Sequence, residues 1–169
     1  PFKTLLTHGF MVDRDGKKLS KSRPDAHRYE VDSLCTEFGM DVMRWWVASL
    51  AYENDVKVDV ELFALAGESY RKVRNTLRFM LSNLYDFECS KPGATGNCVD
   101  LKSLPATSID RWILAEFDQL AEKVVAAYNN YDFQTAQKEL FNFCNDRLSA
   151  TYLAAVKDMS LIHISQGIV

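Results

Sequence analysis

A chain of 169 residues with 47% hydrophobic and 25% charged side chains has the composition of a globular protein, with room for one sizeable core or two small ones. It contains no run of about 18 apolar residues, and its opening Pro1-Phe2-Lys3-Thr4 does not follow the pattern of an export signal. Membrane insertion and secretion are therefore not expected, and the chain reads as a cytoplasmic piece excised from something larger.

The net charge of −3 argues on its face against a nucleic-acid partner, yet its distribution is uneven. Residues 1–25 carry +3, residues 26–62 carry −5, residues 63–91 carry +2 and the remainder −3. Two basic islands thus lie in an acidic background, and each coincides with a predicted structural feature.

Residues 2–12 are rich in β-formers and predict a strand running into the turn Asp13-Arg14-Asp15-Gly16. An exposed loop follows, Gly16-Lys17-Lys18-Leu19-Ser20-Lys21-Ser22-Arg23-Pro24, which Pro24 keeps from becoming helical. Val31 to Phe38 predicts a short helix stopped by Gly39, and Asp41 to about Ala51 a second one bearing Trp45 and Trp46, of which one is expected in the core. Val56-Lys57-Val58 alternates as an edge strand does.

From Asp59, a natural N-cap, Leu62, Ala66, Val73, Leu77, Met80, Leu81 and Leu84 recur at helical spacing. They predict the inner face of a long helix whose opposite face carries Arg71, Arg74, Asn75 and Arg78. Residues 89–107 read as a Pro- and Gly-containing linker.

Thr107 with Asp110 suggests a capping box for a helix to about Tyr128, with Ile109, Trp112, Ile113, Leu120, Val124 and Tyr128 turned inward. After the turn Asn129-Asn130-Tyr131-Asp132, Asp132 can cap a last helix whose inner face runs from Phe133 through Ala136, Leu140, Phe143, Cys144 and Leu148 to Ala155. The short turn favours an antiparallel hairpin, with the long basic helix as a third bundle member. The expected fold is mainly α.

Cys35, Cys89, Cys98 and Cys144 form no C-x-x-C pair, and only His8, His27 and His163 accompany them, so no metal site is expected. Cys144 is read as packing. His8 is read as a surface residue, with proximity to an active site as the alternative.

The chemistry concentrates at Lys17 to Ser22, where three ammonium groups and two hydroxyls share one loop. Such a loop can fold over a polyphosphate, because lysine acts as a point charge and serine hydroxyls and backbone N–H groups add donors. Taken alone, a Lys/Ser loop is more often solvated surface. Here it stands in an ordered series: His8-Gly9-Phe10-Met11-Val12, the turn, Lys18-Leu19-Ser20-Lys21-Ser22, then Gly39-Met40-Asp41-Val42-Met43-Arg44-Trp45-Trp46-Val47-Ala48-Ser49. That series resembles a class I aminoacyl-tRNA synthetase, whose second active-site motif is Lys-Met-Ser-Lys-Ser.

Tyr70-Arg71-Lys72-Val73-Arg74-Asn75-Thr76-Leu77-Arg78-Phe79, Asn83-Leu84-Tyr85-Asp86-Phe87, Asp110-Arg111-Trp112, Tyr131-Asp132-Phe133 and Tyr152-Leu153 are similar to the isoleucyl branch of that family. Valyl and leucyl synthetases, and a non-catalytic helical tRNA-binding module, are the alternatives. Leu19 stands where the motif has Met, and Arg23-Pro24-Asp25 where the family has Leu-Gly-Asn.

The resemblance implies that residues 1–58 are the end of a catalytic domain with a small connecting fold, that 59–158 begin a helical anticodon-binding domain, and that 159–169 are an atypical tail, an artefact. It implies ATP with Mg2+, isoleucine and tRNA(Ile) as the parent enzyme's substrates. Lys18 and Lys21 are then the catalytic residues, holding the ATP phosphates together with Ser20 and Ser22. Arg71, Arg74 and Arg78 are candidate tRNA contacts, an ordinary solvated helix face being the competing reading. The amino-acid pocket and the editing domain have no counterpart here, so the isolated chain is expected to be inactive.

Overall fold

The computed structural model describes residues 1–20, 22, 24, 26–84 and 103–158. The Lys21 position, the body of the 89–107 linker and the 159–169 tail lie outside the described residues. The described chain is mainly helical and divides into two compact units, Pro1–Arg71 with Ala127–Lys138, and Lys72–Ala126 with Glu139–Val169.

In the first unit, β1 (Met11–Val12) pairs in parallel with β2 (Val56–Lys57), Met11 opposite Val56 and Val12 opposite Lys57. The predicted 2–12 strand is thus paired over two residues, although Gly9 N–H already donates to Tyr52 O at 2.9 Å. Helix α1 (Val31–Phe38) ends at Gly39, whose φ of 91° lies in a region that side-chain-bearing residues rarely enter. That residue also launches α2 (Met40–Ala48) in a new direction.

Leu34, Trp46, Val58 and Phe63 form the core of this unit, with Leu19, Tyr29, Phe38, Met43 and Val56 packed around them. Phe63 meets Trp46 edge-on at 4.6 Å between ring centroids and Phe38 at 5.6 Å. Trp45, the neighbour of the buried Trp46, is half-buried and donates from Nε1 to Ser69 Oγ at 2.7 Å.

Helix α3 (Val60–Ser82) turns Ala66, Val73 and Met80 of its predicted face inward but not the leucines of that face. Phe63, Ala66 and Gly67 face the first core, and Val73, Thr76 and Met80 turn inward in the second unit. Leu62, Leu77, Leu81 and Leu84 are exposed, Leu81 by 68%. A single stripe averaged over the helix fails because its two halves serve separate cores.

Helix α4 (Ile109–Asn129) is capped by Ser108, not Thr107: Asp110 N–H donates to Ser108 Oγ at 3.1 Å, and Ser108 Oγ donates to Asp110 Oδ2 at 3.0 Å. The turn to α5 (Phe133–Asn142) places Tyr131 at φ 58°, and Asp132 Oδ1 accepts the Thr135 N–H at 3.0 Å, as predicted for a cap. That hydrogen bond holds the Asp132 carboxyl below the usual carboxylate range.

Beyond Asn142 the helix does not continue with α geometry. Phe143–Leu153 is a wider π-helical segment, in which Thr151 Oγ1 donates to Asp146 O five residues back at 2.8 Å. Ile113, Leu120, Phe143, Cys144 and Leu148 form the second core, flanked by Val73, Met80, Trp112, Val124 and Leu140. Trp112 and Cys144 are packing residues, as their spacing predicts. Tyr152 donates to Asp110 Oδ1 at 2.7 Å, tying the π segment to the start of α4.

Candidate functional site

The basic loop is built on β1. One edge of β1 is held by β2: Val56 N–H donates to Phe10 O at 2.8 Å and Val58 N–H to Val12 O at 2.9 Å. On the other edge the chain folds back through Asp13 to Lys17. Asp13 Oδ1 accepts the N–H groups of Asp15 at 3.0 Å and Lys17 at 2.8 Å, and Asp13 N–H donates to Lys17 O at 2.9 Å. Leu19 N–H then donates to Met11 O at 3.0 Å, which closes the return.

This register alternates the side chains of the returning segment. Leu19 is partly buried and packs against the first core, so the apolar residue in the motif's Met position anchors the loop. Lys18 goes outward, its Nζ 4.3 Å from the centroid of the exposed Phe10 ring. Ser20 and Ser22 are exposed with their hydroxyl oxygens 2.8 Å apart. The structure therefore exposes Lys18, Ser20 and Ser22 and brings the two serine hydroxyls together, with Lys18 set over Phe10; Lys21 lies outside the described residues.

Arg14, at the tip of the fold-back, was not singled out by sequence patterns. Its guanidinium binds Asp59 through Nε and Glu61 through Nη2, the latter at 3.1 Å. Asp59 also caps α3, accepting the Glu61 N–H at 3.3 Å. The hydrogen bond from Arg14 holds the Asp59 carboxyl below its ordinary range, and the two carboxylates push the Arg14 guanidinium higher still. The turn that precedes the lysines is thereby tied to the N-terminus of α3. The partners are 45 residues apart in sequence, so only their opposite charges, at a turn and at a cap, hinted at the link.

Arg71, Arg74 and Arg78 are exposed on α3. Among the described residues none of them pairs with Glu68, and their exposure is common to a solvated helix face and to a tRNA-contacting one. His8 is exposed, its Nδ1 2.8 Å from Gly9 O.

No helix among the described residues is long and apolar enough to cross a membrane. Among the described residues no three His, Cys, Asp or Glu side chains are grouped as a metal site requires.

Residues 1–59 match the family described as tRNA synthetases class I (I, L, M and V), and residues 110–162 match the anticodon-binding domain of tRNA ligase. The chain is 39% identical over 158 residues to the isoleucine–tRNA ligase of Legionella pneumophila, covering 94% of this chain and 16% of that protein. It is 43% identical over 160 residues to that of Desulfitobacterium hafniense, covering 94% and 16%. With the Geobacillus kaustophilus enzyme of the same name the identity is 40% over 167 residues, 99% of this chain and 17% of the relative. The chain thus spans about one sixth of the length of the curated relatives it matches. Two matches to parts of one kind of enzyme, joined by an identity near 40% that runs through both and through the helix between them, place the chain in the class I tRNA synthetase family, among the isoleucine–tRNA ligases.

Proposed function

We propose that the chain is the part of an isoleucine–tRNA ligase that grips the ATP phosphates and begins the tRNA-binding surface, and that it works in the cytoplasm. The observation that carries this reading is the anchored fold-back. Leu19 is packed against the core and Arg14 is tied to α3, so Lys18, Ser20 and Ser22 are offered to solvent from a fixed base.

In the proposed reaction the isoleucine carboxylate attacks the α-phosphorus of ATP. A new bond from carboxylate oxygen to phosphorus forms, the α–β phosphoanhydride breaks, and pyrophosphate leaves with the bonding pair. The tRNA 3′-terminal hydroxyl then attacks the acyl carbon and AMP departs. Negative charge grows on the leaving β-phosphate, and cations placed there stabilise the transition state more than the ground state. Lys18 and Lys21 fill that role, Ser20 and Ser22 donate hydrogen bonds to phosphate oxygens, and Mg2+ accompanies the ATP. Residues 1–58 close the catalytic domain and residues 59–158 open the helical one, where Arg71, Arg74 and Arg78 follow the tRNA backbone.

The test uses a full-length isoleucine–tRNA ligase carrying this segment. By analogy with loss of one oxyanion donor, Lys21→Ala lowers isoleucine-dependent pyrophosphate exchange by roughly 100- to 1,000-fold. Unchanged exchange would remove Lys21 from the reaction. Arg74→Ala flattens the log–log dependence of tRNA affinity on salt by about 0.7 to 0.9, and an unaltered slope means that Arg74 touches no phosphate. The isolated chain forms no aminoacyl adenylate, because the amino-acid pocket lies elsewhere in the enzyme.

A further inference from the structure

Lys18 Nζ stands 4.3 Å from the centroid of the Phe10 ring, well inside the reach of about 6 Å at which an ammonium feels the negative face of an aromatic ring. The backbone fixes both partners. Phe10 N–H donates to Asp55 Oδ1 at 2.8 Å and Phe10 O accepts the Val56 N–H at 2.8 Å, so the ring rises from a position held on both sides. Lys18 bridges antiparallel to Val12, between Lys17 O, which accepts the Asp13 N–H, and the Leu19 N–H, which donates to Met11 O. Phe10 comes two residues before Val12 and is therefore diagonal to Lys18 across the fold-back, a separation that aromatic and long side chains span.

A lysine side chain has many rotamers, and the freedom it loses on gripping a phosphate subtracts from the affinity. An ammonium already resting on a ring has given up much of that freedom beforehand. The ring covers one side of the ammonium and leaves N–H donors on the other side for an incoming oxygen. A carboxylate in the same place would hold the lysine too, but as a rival anion to the phosphate. A neutral ring positions the cation without cancelling its charge.

We propose that Phe10 is a positioning residue for ATP, its ring holding the Lys18 ammonium ready for a phosphate oxygen of the nucleotide. The inference rests on the reading of Lys18 as a phosphate-binding residue and deepens it by naming what sets that side chain in place.

The experiment measures isoleucine-dependent pyrophosphate exchange against ATP concentration in a full-length isoleucine–tRNA ligase carrying this segment. Phe10→Leu keeps an apolar side chain and removes the aromatic face. It raises KM for ATP by about two- to fivefold, the equivalent of one exposed cation–ring pair, and leaves kcat unchanged because ground and transition states lose the same hold. Phe10→Trp, which offers the stronger ring, keeps the parent KM or lowers it. In a Lys18→Ala background Phe10→Leu has no further effect, since it acts through that ammonium. The Phe10 ring is 57% exposed and both hydrogen bonds at this residue come from its backbone, so the variants fold, with the parent's Tm as the check. An unchanged KM in Phe10→Leu, an equal rise in Phe10→Trp, or effects of Phe10→Leu and Lys18→Ala that simply add overturns the pairing. If Lys18→Ala by itself still weakens exchange, the ATP reading survives that result; if Lys18→Ala leaves exchange intact, both fall.

Discussion

Phe63→Ala tests the helix register on which the first unit depends. Phe63 is fully buried, with Trp46 edge-on at 4.6 Å and Phe38 at 5.6 Å between ring centroids. Truncating a buried phenylalanine costs about 3–5 kcal/mol, from lost transfer energy and the cavity left behind. Each aromatic contact accounts for about 0.5–1.5 kcal/mol of that. A typical domain has only about 5–15 kcal/mol in total, so the loss is a large share. For a chain of this size it lowers Tm by about 6–20 °C. Leu65 and Leu81 are 61% and 68% exposed, and their alanine variants stay within about 0.5 kcal/mol of the parent. Urea unfolding followed by tryptophan fluorescence reads the difference, since Trp46 lies directly on Phe63. A cost below about 1 kcal/mol for Phe63→Ala, with Leu81→Ala at 2 or more, would refute the reasoning and restore the face marked by the leucines.

Gly9→Ala places a methyl group against the backbone of Asn54 and Asp55, beside the Gly9 hydrogen bond to Tyr52. We expect a lower Tm and a loosened strand pair, seen as faster amide exchange at Val56 and Val58; unchanged exchange would mean that the strand tolerates the methyl. In the second unit, burial, together with the hydrogen bond to Asp110, pushes the Tyr152 hydroxyl from its ordinary 10.0 up to about 12. The folded state therefore holds this proton more tightly than the unfolded one, so the stabilisation is complete below pH 10 and fades as pH rises towards 12. Tyr152→Phe removes that fall and costs about 1 kcal/mol at neutral pH, the group being only partly buried. Tyrosinate absorbance checks the first point and urea unfolding the second.

Much of the molecule is legible in its residues because local rules govern it. Gly39 ends a helix, Asp132 caps one, and a short turn makes α4 and α5 a hairpin, since each depends on backbone geometry within a few residues. The Lys18–Ser22 loop and its family resemblance were legible for the same reason, as a contiguous string. Ser108 displaced Thr107 as the cap of α4 by one residue, a choice settled by which hydroxyl reaches the Asp110 N–H.

What the chain alone determined, then, is its elements, its basic loop and its family, because each of these is written in short stretches whose spacing carries physical meaning. Which face of α3 is buried, that Arg14 holds the loop's turn to the start of that helix, and that Lys18 is set over Phe10 were decided only in three dimensions. Burial, ion pairing and the cation–ring contact depend on residues that the fold brings together, and a helical wheel averaged over α3 is blind to the change of core halfway along it.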